Sequence, residues 1–157
     1  MSRRLQATVA ALALVAVPAV MQAQTSRAHI GPRFSYNFDV EDAAIGVQFG
    51  LPVADRTEFY PSFDVYFVNP GSLWALNADL KYRLTPDVAG WWYVGGGLSI
   101  AHASVGDADD TNAGLNLLTG VESLSGWVHP FAEGRVTLSD DTNFQLSLGL
   151  NFTIGRH

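Results

Sequence analysis

Two polar side chains near the middle of the sequence, His102 and Ser104, have a spacing that could support nucleophilic chemistry. They are two positions apart, so an extended chain places both on the same face of a strand. A histidine that takes the proton from a serine hydroxyl still needs a third group, usually a carboxylate, to orient its ring. The nearest acidic residues, Asp107, Asp109 and Asp110, are predicted to lie in a loop. We therefore predict polar residues at the end of a strand and no catalytic residue.

Acidic residues dominate the connections at one end of the predicted strands. These connections contain no Lys or Arg and hold seven acidic residues: Glu41, Asp42, Asp107, Asp109, Asp110, Asp140 and Asp141. Carboxylate oxygens are the ligands that Ca²⁺ and Mg²⁺ prefer, but no spacing here matches a dedicated calcium loop. We predict a solvated acidic rim without a metal site. Divalent cations held by Asp107, Asp109 and Asp110 are the alternative.

Length and composition limit the classes of protein to which this chain belongs. The chain has 157 residues, which is one domain's worth, and only 15% of them are charged, against about 25% in a typical soluble domain. A formal net charge of -6 argues against nucleic-acid binding, which needs a basic face. The chain has no Cys, which excludes disulfides and thiolate metal sites, and we predict no cofactor.

The N-terminal segment has the three parts of a secretory signal. Arg3 and Arg4 precede an apolar run over 7–20, and the small residue Ala23 follows it. The run is too short to cross a membrane comfortably as a helix. We predict a signal peptide over 1–23 and a single mature domain over 24–157.

The rest of the chain alternates apolar and polar residues with a period of two, which predicts β-strands. Eight such runs occur, at 28–40, 43–53, 57–68, 72–84, 91–103, 111–123, 127–138 and 143–154. The charged residues within them lie on the face opposite the apolar side chains, and the short turns make neighbouring strands antiparallel. A soluble sandwich would have to fit eight wide apolar stripes into one small core. We therefore predict an all-β fold, an eight-stranded antiparallel up-and-down transmembrane β-barrel with apolar residues outside.

Four prolines lie within the predicted strands, although proline cannot donate to a ladder. Pro32, Pro52, Pro61 and Pro130 all fall toward the strand ends nearest the chain termini. We expect a bulge or a frayed rim there.

An eight-stranded barrel has an interior only wide enough for side chains. The predicted lumen holds bulky residues, among them Tyr60, Tyr66, Trp91, Tyr93, Trp127 and Phe131. It also holds a charge network: Arg33, Glu58, Asp64, Asp79, Lys81, Arg83, Glu122, Glu133 and Arg135. Buried charges are costly unless they are paired, so we predict a filled, structural lumen. A narrow passive channel is the alternative.

This pattern, over nearly all of residues 28–155, resembles the small eight-stranded outer-membrane β-barrel proteins, the group of OmpX-like proteins and the OmpA transmembrane domain. The last strand carries Ser147, Gly149, Phe152 and Ile154, which fit the spacing of that group's assembly signal. The resemblance implies export to the bacterial outer membrane, insertion by the barrel-assembly machinery, and contact with outer-membrane lipid and lipopolysaccharide.

The resemblance implies a structural or envelope-interface role rather than an enzyme. One enzymatic alternative follows from a related group, the outer-membrane lipid A deacylases, which use a His-x-Ser pair on the lipid-facing wall of such a barrel. His102 and Ser104 fit that pair, although Val105 follows where those enzymes have Asn. An outer-leaflet lipid A deacylase-like hydrolase therefore remains a second alternative.

Overall fold

The computed structural model describes residues 27–84, 90–123 and 125–155, so the predicted signal peptide over 1–23 lies outside the described residues. It contains eight strands: β1 (His29–Asn37), β2 (Asp42–Ala54), β3 (Thr57–Tyr66), β4 (Ser72–Arg83), β5 (Gly90–Val105), β6 (Ala108–Ser123), β7 (Val128–Leu138) and β8 (Asn143–Thr153). Each strand end lies within about three residues of the end that the alternation predicts.

The eight strands form a closed antiparallel barrel in which each pairs with the next along the chain. β8 returns to pair with β1, with His29 opposite Thr153 and Asn37 opposite Gln145. Closure leaves no unpaired sheet edge in the barrel wall. The predicted fold class is confirmed. No helix in the described ranges is long and apolar enough to span a membrane.

The barrel is polar inside and apolar outside. Of the buried side chains in the described residues, 19 are polar or charged and 7 are hydrophobic. β8 shows the alternation well, since Gln145, Ser147 and Asn151 are buried whereas Leu146 and Leu148 are exposed. Leu148, halfway along the strand, is 60% exposed. This is the reverse of a water-soluble domain, in which the apolar set fills the core.

A bulge appears where the sequence predicts one. The register of β2 on β3 shifts between Pro52 and Ala54, close to the turn that joins the two strands. On β1, Pro32 is matched with Val47 of β2, and the ladder with β8 is interrupted at Gly31 and Pro32, between Ile30 and Arg33. The wall therefore accommodates these prolines at the end of the barrel that carries the chain termini, called the terminal end below.

Trp127 does not lie in the lumen, where the sequence predicts it. It is 68% exposed, and its ring lies 5.5 Å from the ring of the outward-facing Phe152. The reason is that β7 begins only at Val128, so strand alternation does not fix the direction of the residue before it.

The hairpin of β5 and β6 is longer than predicted and projects beyond the rest of the wall. Both strands have 16 residues, and the turn between them consists of Gly106, with φ of 63°, and Asp107. The ladder between β6 and β7 starts at Leu115, so residues 108–114 of β6 are paired with β5 alone within the described chain. Asp109 and Asp110 thus lie in a strand, not in the predicted loop. The end of the barrel with this tip is called the hairpin end below.

Candidate functional site

Glu133 is the centre of the lumen. Its carboxylate lies 2.6 Å from Nζ of Lys81, 3.3 Å from Nη2 of Arg135 and 3.5 Å from Nη2 of Arg33. The phenol of Tyr93 donates a hydrogen bond of 3.0 Å to its Oε2. One buried carboxylate on β7 therefore faces three cations supplied by β1, β4 and β7 itself.

Two further carboxylates balance the charge. Asp64 lies 3.2 Å from Nε of Arg33, and Asp79 lies 2.6 Å from Nη2 of Arg135. Three cations and three carboxylates make up this group, called the central charge cluster: Arg33, Lys81, Arg135, Asp64, Asp79 and Glu133. All six side chains are at most 2% exposed. The cluster is formally neutral, as buried ionised groups need to be.

Lys81 is held between aromatic rings. Its Nζ lies 3.2 Å from the ring centroid of Tyr60, 4.2 Å from that of Tyr93 and 5.7 Å from that of Phe131. Such contacts attract a cation through the ring quadrupole. The rings and the central charge cluster together fill the cross-section of the lumen at this level.

The terminal end holds two smaller charged groups. Glu58 forms an ion pair with Arg83 and lies 3.9 Å from Nε2 of His29. The guanidinium of Arg83 also lies 3.3 Å from the ring centroid of Trp91. The carboxylate of Glu122 accepts a hydrogen bond of 2.8 Å from Asn151. These contacts extend the filled region toward the terminal end.

The structure places all nine of the predicted lumen charges inside the barrel. Arg83 is the most accessible of them, with a side chain that is 11% exposed. The uncharged partners, such as Asn116, which donates 2.9 Å to Asp79, are not among the residues singled out from the sequence. The alternation of the sequence could have identified them as inward-facing, since Asn116 alternates with apolar neighbours on β6.

A cavity of about 560 Å³ lies above the central charge cluster, at the hairpin end. Its lining differs from the rest of the lumen because it consists of amides, hydroxyls and small apolar side chains. Asp39 and Asp141, both near the rim, are the charged residues of the described lining. The lumen is thus divided along its length into a part that holds the central charge cluster and an open part whose charged residues, Asp39 and Asp141, lie near the rim.

His102 and Ser104 point outward near the hairpin end. Nδ1 of His102 shares a hydrogen bond of 2.8 Å with the hydroxyl of Thr111, and its ring lies 5.4 Å from that of Trp74. Ser104 is opposite Asp109 in the ladder, so Asp109 shares its face. The sequence predicts Asp109 in a loop, and the structure instead places it in β6 on this outward face. Within the described residues the partner of the imidazole is Thr111, and neither Ser104 nor Asp109 contacts it.

The three aspartates proposed as weak metal candidates do not converge. Asp107 is in the turn, and Asp109 and Asp110 are successive strand residues, which point to opposite faces. Asp110 accepts a hydrogen bond of 2.8 Å from Asn112 on its own strand. Across residues 27–84, 90–123 and 125–155, no three His, Asp or Glu side chains come together as a metal site would require.

The residues of the predicted assembly signal divide between the two faces of β8. Ser147 is buried and accepts a hydrogen bond of 2.6 Å from Arg33. Gly149 faces inward, where an added β-carbon would lie 2.5 Å from Cε1 of Phe131, so only glycine fits beside that ring. Phe152 and Ile154 face outward, and Ile154 is exposed.

Comparison with known proteins finds similarity in structure only. No protein-family model matches the sequence, and no curated protein does. The N-terminal β-barrel domain of Pseudomonas aeruginosa OprF is similar with a TM-score of 0.64 and 18% identity, over 81% of this chain and 96% of that one. Neisserial surface protein A is similar with a TM-score of 0.62 and 17% identity, over 81% and 96%.

A third similar structure is the outer membrane enzyme PagL, with a TM-score of 0.50 and 13% identity, over 80% of this chain and 99% of that one. At these identities the likeness establishes the fold, that of the small eight-stranded outer-membrane barrels, and confirms the resemblance seen in the sequence. Because one of the similar structures is an enzyme, the fold by itself does not decide the function.

Proposed function

We propose that this chain is a structural or envelope-interface barrel of the bacterial outer membrane with a closed lumen. The observation that carries the proposal is the combination of an apolar outer wall on a closed ladder with a charge cluster across the interior. Exposed apolar surface of this extent is compatible with hydrocarbon and would aggregate in water. Export through 1–23 and insertion by the barrel-assembly machinery belong to the same proposal.

The central charge cluster argues against a passive channel. Its members come from β1, β3, β4 and β7, so the contacts cross the lumen rather than follow the wall. A solute passing through would have to separate several buried ion pairs and leave buried charges without partners, which is strongly unfavourable. The aromatic rings around Lys81 narrow the same level further.

The hydrolase alternative has one feature in its favour, since Asp109 lies on the same outward face as His102 and Ser104. The hydrogen bonds oppose it. The imidazole is bound to Thr111, so no chain of contacts links the carboxylate, the imidazole and the serine hydroxyl as a nucleophilic serine requires. The structural role is therefore the better supported function.

The lipid partners follow from the wall. Outward Phe38 and Phe144 lie with ring centroids 5.4 Å apart near the hairpin end, and outward Trp127 and Phe152 lie together at the terminal end. Aromatic side chains at two levels are typical of barrels that contact lipid at both membrane interfaces. We propose outer-membrane lipid and lipopolysaccharide as the molecules around the wall.

Cell fractionation followed by gel electrophoresis with and without boiling tests location and fold together. We expect the chain in the outer-membrane fraction, with different migration of unboiled and boiled samples. Planar bilayers containing the purified barrel test the closed lumen, and we expect no discrete conductance steps. A soluble periplasmic protein whose migration is unchanged would refute the membrane location, and regular conductance steps would refute the closed lumen.

A further inference from the structure

We propose that the cavity at the hairpin end is a binding site for a single sugar ring that is neutral or positively charged. The site would make the barrel a receptor for a small hydroxylated molecule, in addition to the structural role proposed above. The inference depends on three properties of the cavity: its two different walls, its charge and its size.

One wall of the cavity is mostly apolar, with Asn77 and Ser99 among its polar members. Tyr66 and Ala75 belong to a buried hydrophobic cluster, and Leu73 and Ala101 pack against it. Ala75, Ala101 and Ala103 line the cavity with short side chains. A sugar ring has one face of C–H groups, and that face matches a small apolar wall with an aromatic member.

The opposite wall presents amides and hydroxyls from β1, β7 and β8. Asn37, Thr137, Asn143 and Gln145 line it. The first three are fixed by hydrogen bonds to neighbouring groups. Tyr66 donates a hydrogen bond of 2.6 Å to Gln145, so the two walls meet at this point and both side chains are fixed. An amide both donates and accepts, so a row of amides suits ligand hydroxyls, which also do both. Fixed groups cost little ordering entropy when a ligand binds.

The charge of the cavity selects against anions. Asp39 and Asp141 are the charged members of the described lining, and the three cations of the central charge cluster lie deeper and are paired. Asn116 separates the two regions, because its amide nitrogen lies 3.0 Å from Oδ1 of Asn77 and 2.9 Å from Oδ1 of Asp79. A sugar carboxylate would therefore meet two carboxylates and no free cation in the described lining, whereas an ammonium group would be attracted.

The size of the cavity is sufficient for a single sugar ring. Its volume of about 560 Å³ lies within the range of about 300–1,000 Å³ that small-molecule sites occupy. The central charge cluster closes the cavity below, and the hairpin end leaves it open to solvent. A ligand would enter from the hairpin end and stop there.

The proposed sugar site is tested with three monosaccharides that share one ring shape and differ in charge. The folded full-length chain in detergent micelles is titrated with glucose, glucosamine and glucuronate, and binding is followed by saturation-transfer NMR. We expect saturable binding of glucose and glucosamine, and at least about tenfold weaker binding of glucuronate. Changing Asp39 and Asp141 together to Asn is expected to remove the preference for glucosamine over glucose.

Two neighbouring residues of β5 provide a matched pair of variants. Ala101→Trp places an indole in the cavity, whereas Ile100→Trp places the same group on the outward wall. We expect Ala101→Trp to weaken glucose binding at least about tenfold and Ile100→Trp to leave it unchanged. Heat-modifiable migration shows that each variant folds. If Ala101→Trp does not fold, Ala103→Phe, nearer the mouth of the cavity, replaces it.

The outcomes separate the possibilities. No saturable binding of any of the three sugars would mean that the cavity holds water only, and equal binding by parent and Ala101→Trp would place the sugar elsewhere; either result overturns the proposal. A free sugar and the end of a larger glycan present the same ring to the cavity. Titration with a trisaccharide that ends in glucose distinguishes these two sources. Fractionation and gel migration test the structural role independently of any sugar.

Discussion

Replacing Glu133 by Gln removes the negative charge at the centre of the lumen and keeps the size of the side chain. The amide oxygen still accepts from Tyr93, so the change isolates the charge. The central charge cluster would then hold three cations and two carboxylates. Removing one partner of a buried ion pair costs about 3–5 kcal/mol, which is about a 10²- to 10⁴-fold change in the ratio of folded to unfolded protein.

The contacts place the expected cost near the lower end of this range. Arg33 keeps Asp64 at 3.2 Å and Arg135 keeps Asp79 at 2.6 Å, so both remain paired. Lys81 loses the carboxylate that forms its ion pair in the described residues and retains the rings of Tyr60 and Tyr93. We therefore expect Glu133→Gln to lower the free energy of unfolding by about 3 kcal/mol.

A second substitution tests the reasoning itself. Lys81→Met removes the cation that Glu133→Gln leaves unpaired and fills the space between the rings with a flexible apolar chain. In the double variant the cluster is neutral again. We expect the double variant to be more stable than the sum of the two single changes implies, by about 1–3 kcal/mol.

The assay is urea unfolding of the barrel in lipid vesicles, followed by tryptophan fluorescence and by the fraction of heat-modifiable protein on gels. Asp141→Asn, at the exposed rim, is the control and is expected to change the free energy of unfolding by less than about 0.5 kcal/mol. A cost below about 1 kcal/mol for Glu133→Gln, or additive effects in the double variant, would refute the claim that the buried charges form one coupled group.

Three further predictions concern the wall and the hairpin end. Leu148→Arg, midway along β8, is expected to cost about 2–4 kcal/mol in vesicles, whereas Val65→Arg, on the outward face near the hairpin end of β3, should cost about 0–1 kcal/mol; equal costs would contradict the lipid-facing assignment. Ser104→Ala is expected to leave lipid A acylation unchanged in cells overproducing the protein, measured by mass spectrometry, and a loss of deacylation would revive the hydrolase. Asp107, Asp109 and Asp110 do not converge on one point, so changing all three to Asn is expected to leave the effect of Ca²⁺ on the melting temperature the same as in the parent protein.

The outward and inward faces of the wall could be predicted from the sequence. The two faces of a barrel strand meet different environments, and this requires apolar and polar residues to alternate. Every second residue of β8, from Phe144 to Phe152, is apolar, and no other arrangement of that strand separates the two sets. The alternation no longer predicts a strand beyond the point where the outward apolar residues end. Asp109 and Thr111 occupy outward positions of β6 that lie beyond the apolar belt, so the ladder continues there without the pattern that announces it.

The contacts inside the lumen could not be predicted in the same way. The sequence shows that Lys81 and Glu133 face inward, but they belong to β4 and β7, which are not neighbours in the sheet. The charges that meet across the interior are determined by the stagger of the strands and by the position of each residue along the barrel axis. The alternation of apolar and polar residues specifies neither of these. The same holds for the cavity, since its lining comes from strands at opposite sides of the barrel.

The acidic residues near the tip of β6 lie beside an exposed strand edge. Residues 108–114 have a β5 neighbour on one side only, so their other side offers backbone groups to any extended chain, including the same edge of another molecule. Two such edges joining would bring Asp109 and Asp110 of both molecules close together. The repulsion between them would oppose fusion of neighbouring barrels into a continuous sheet at this edge.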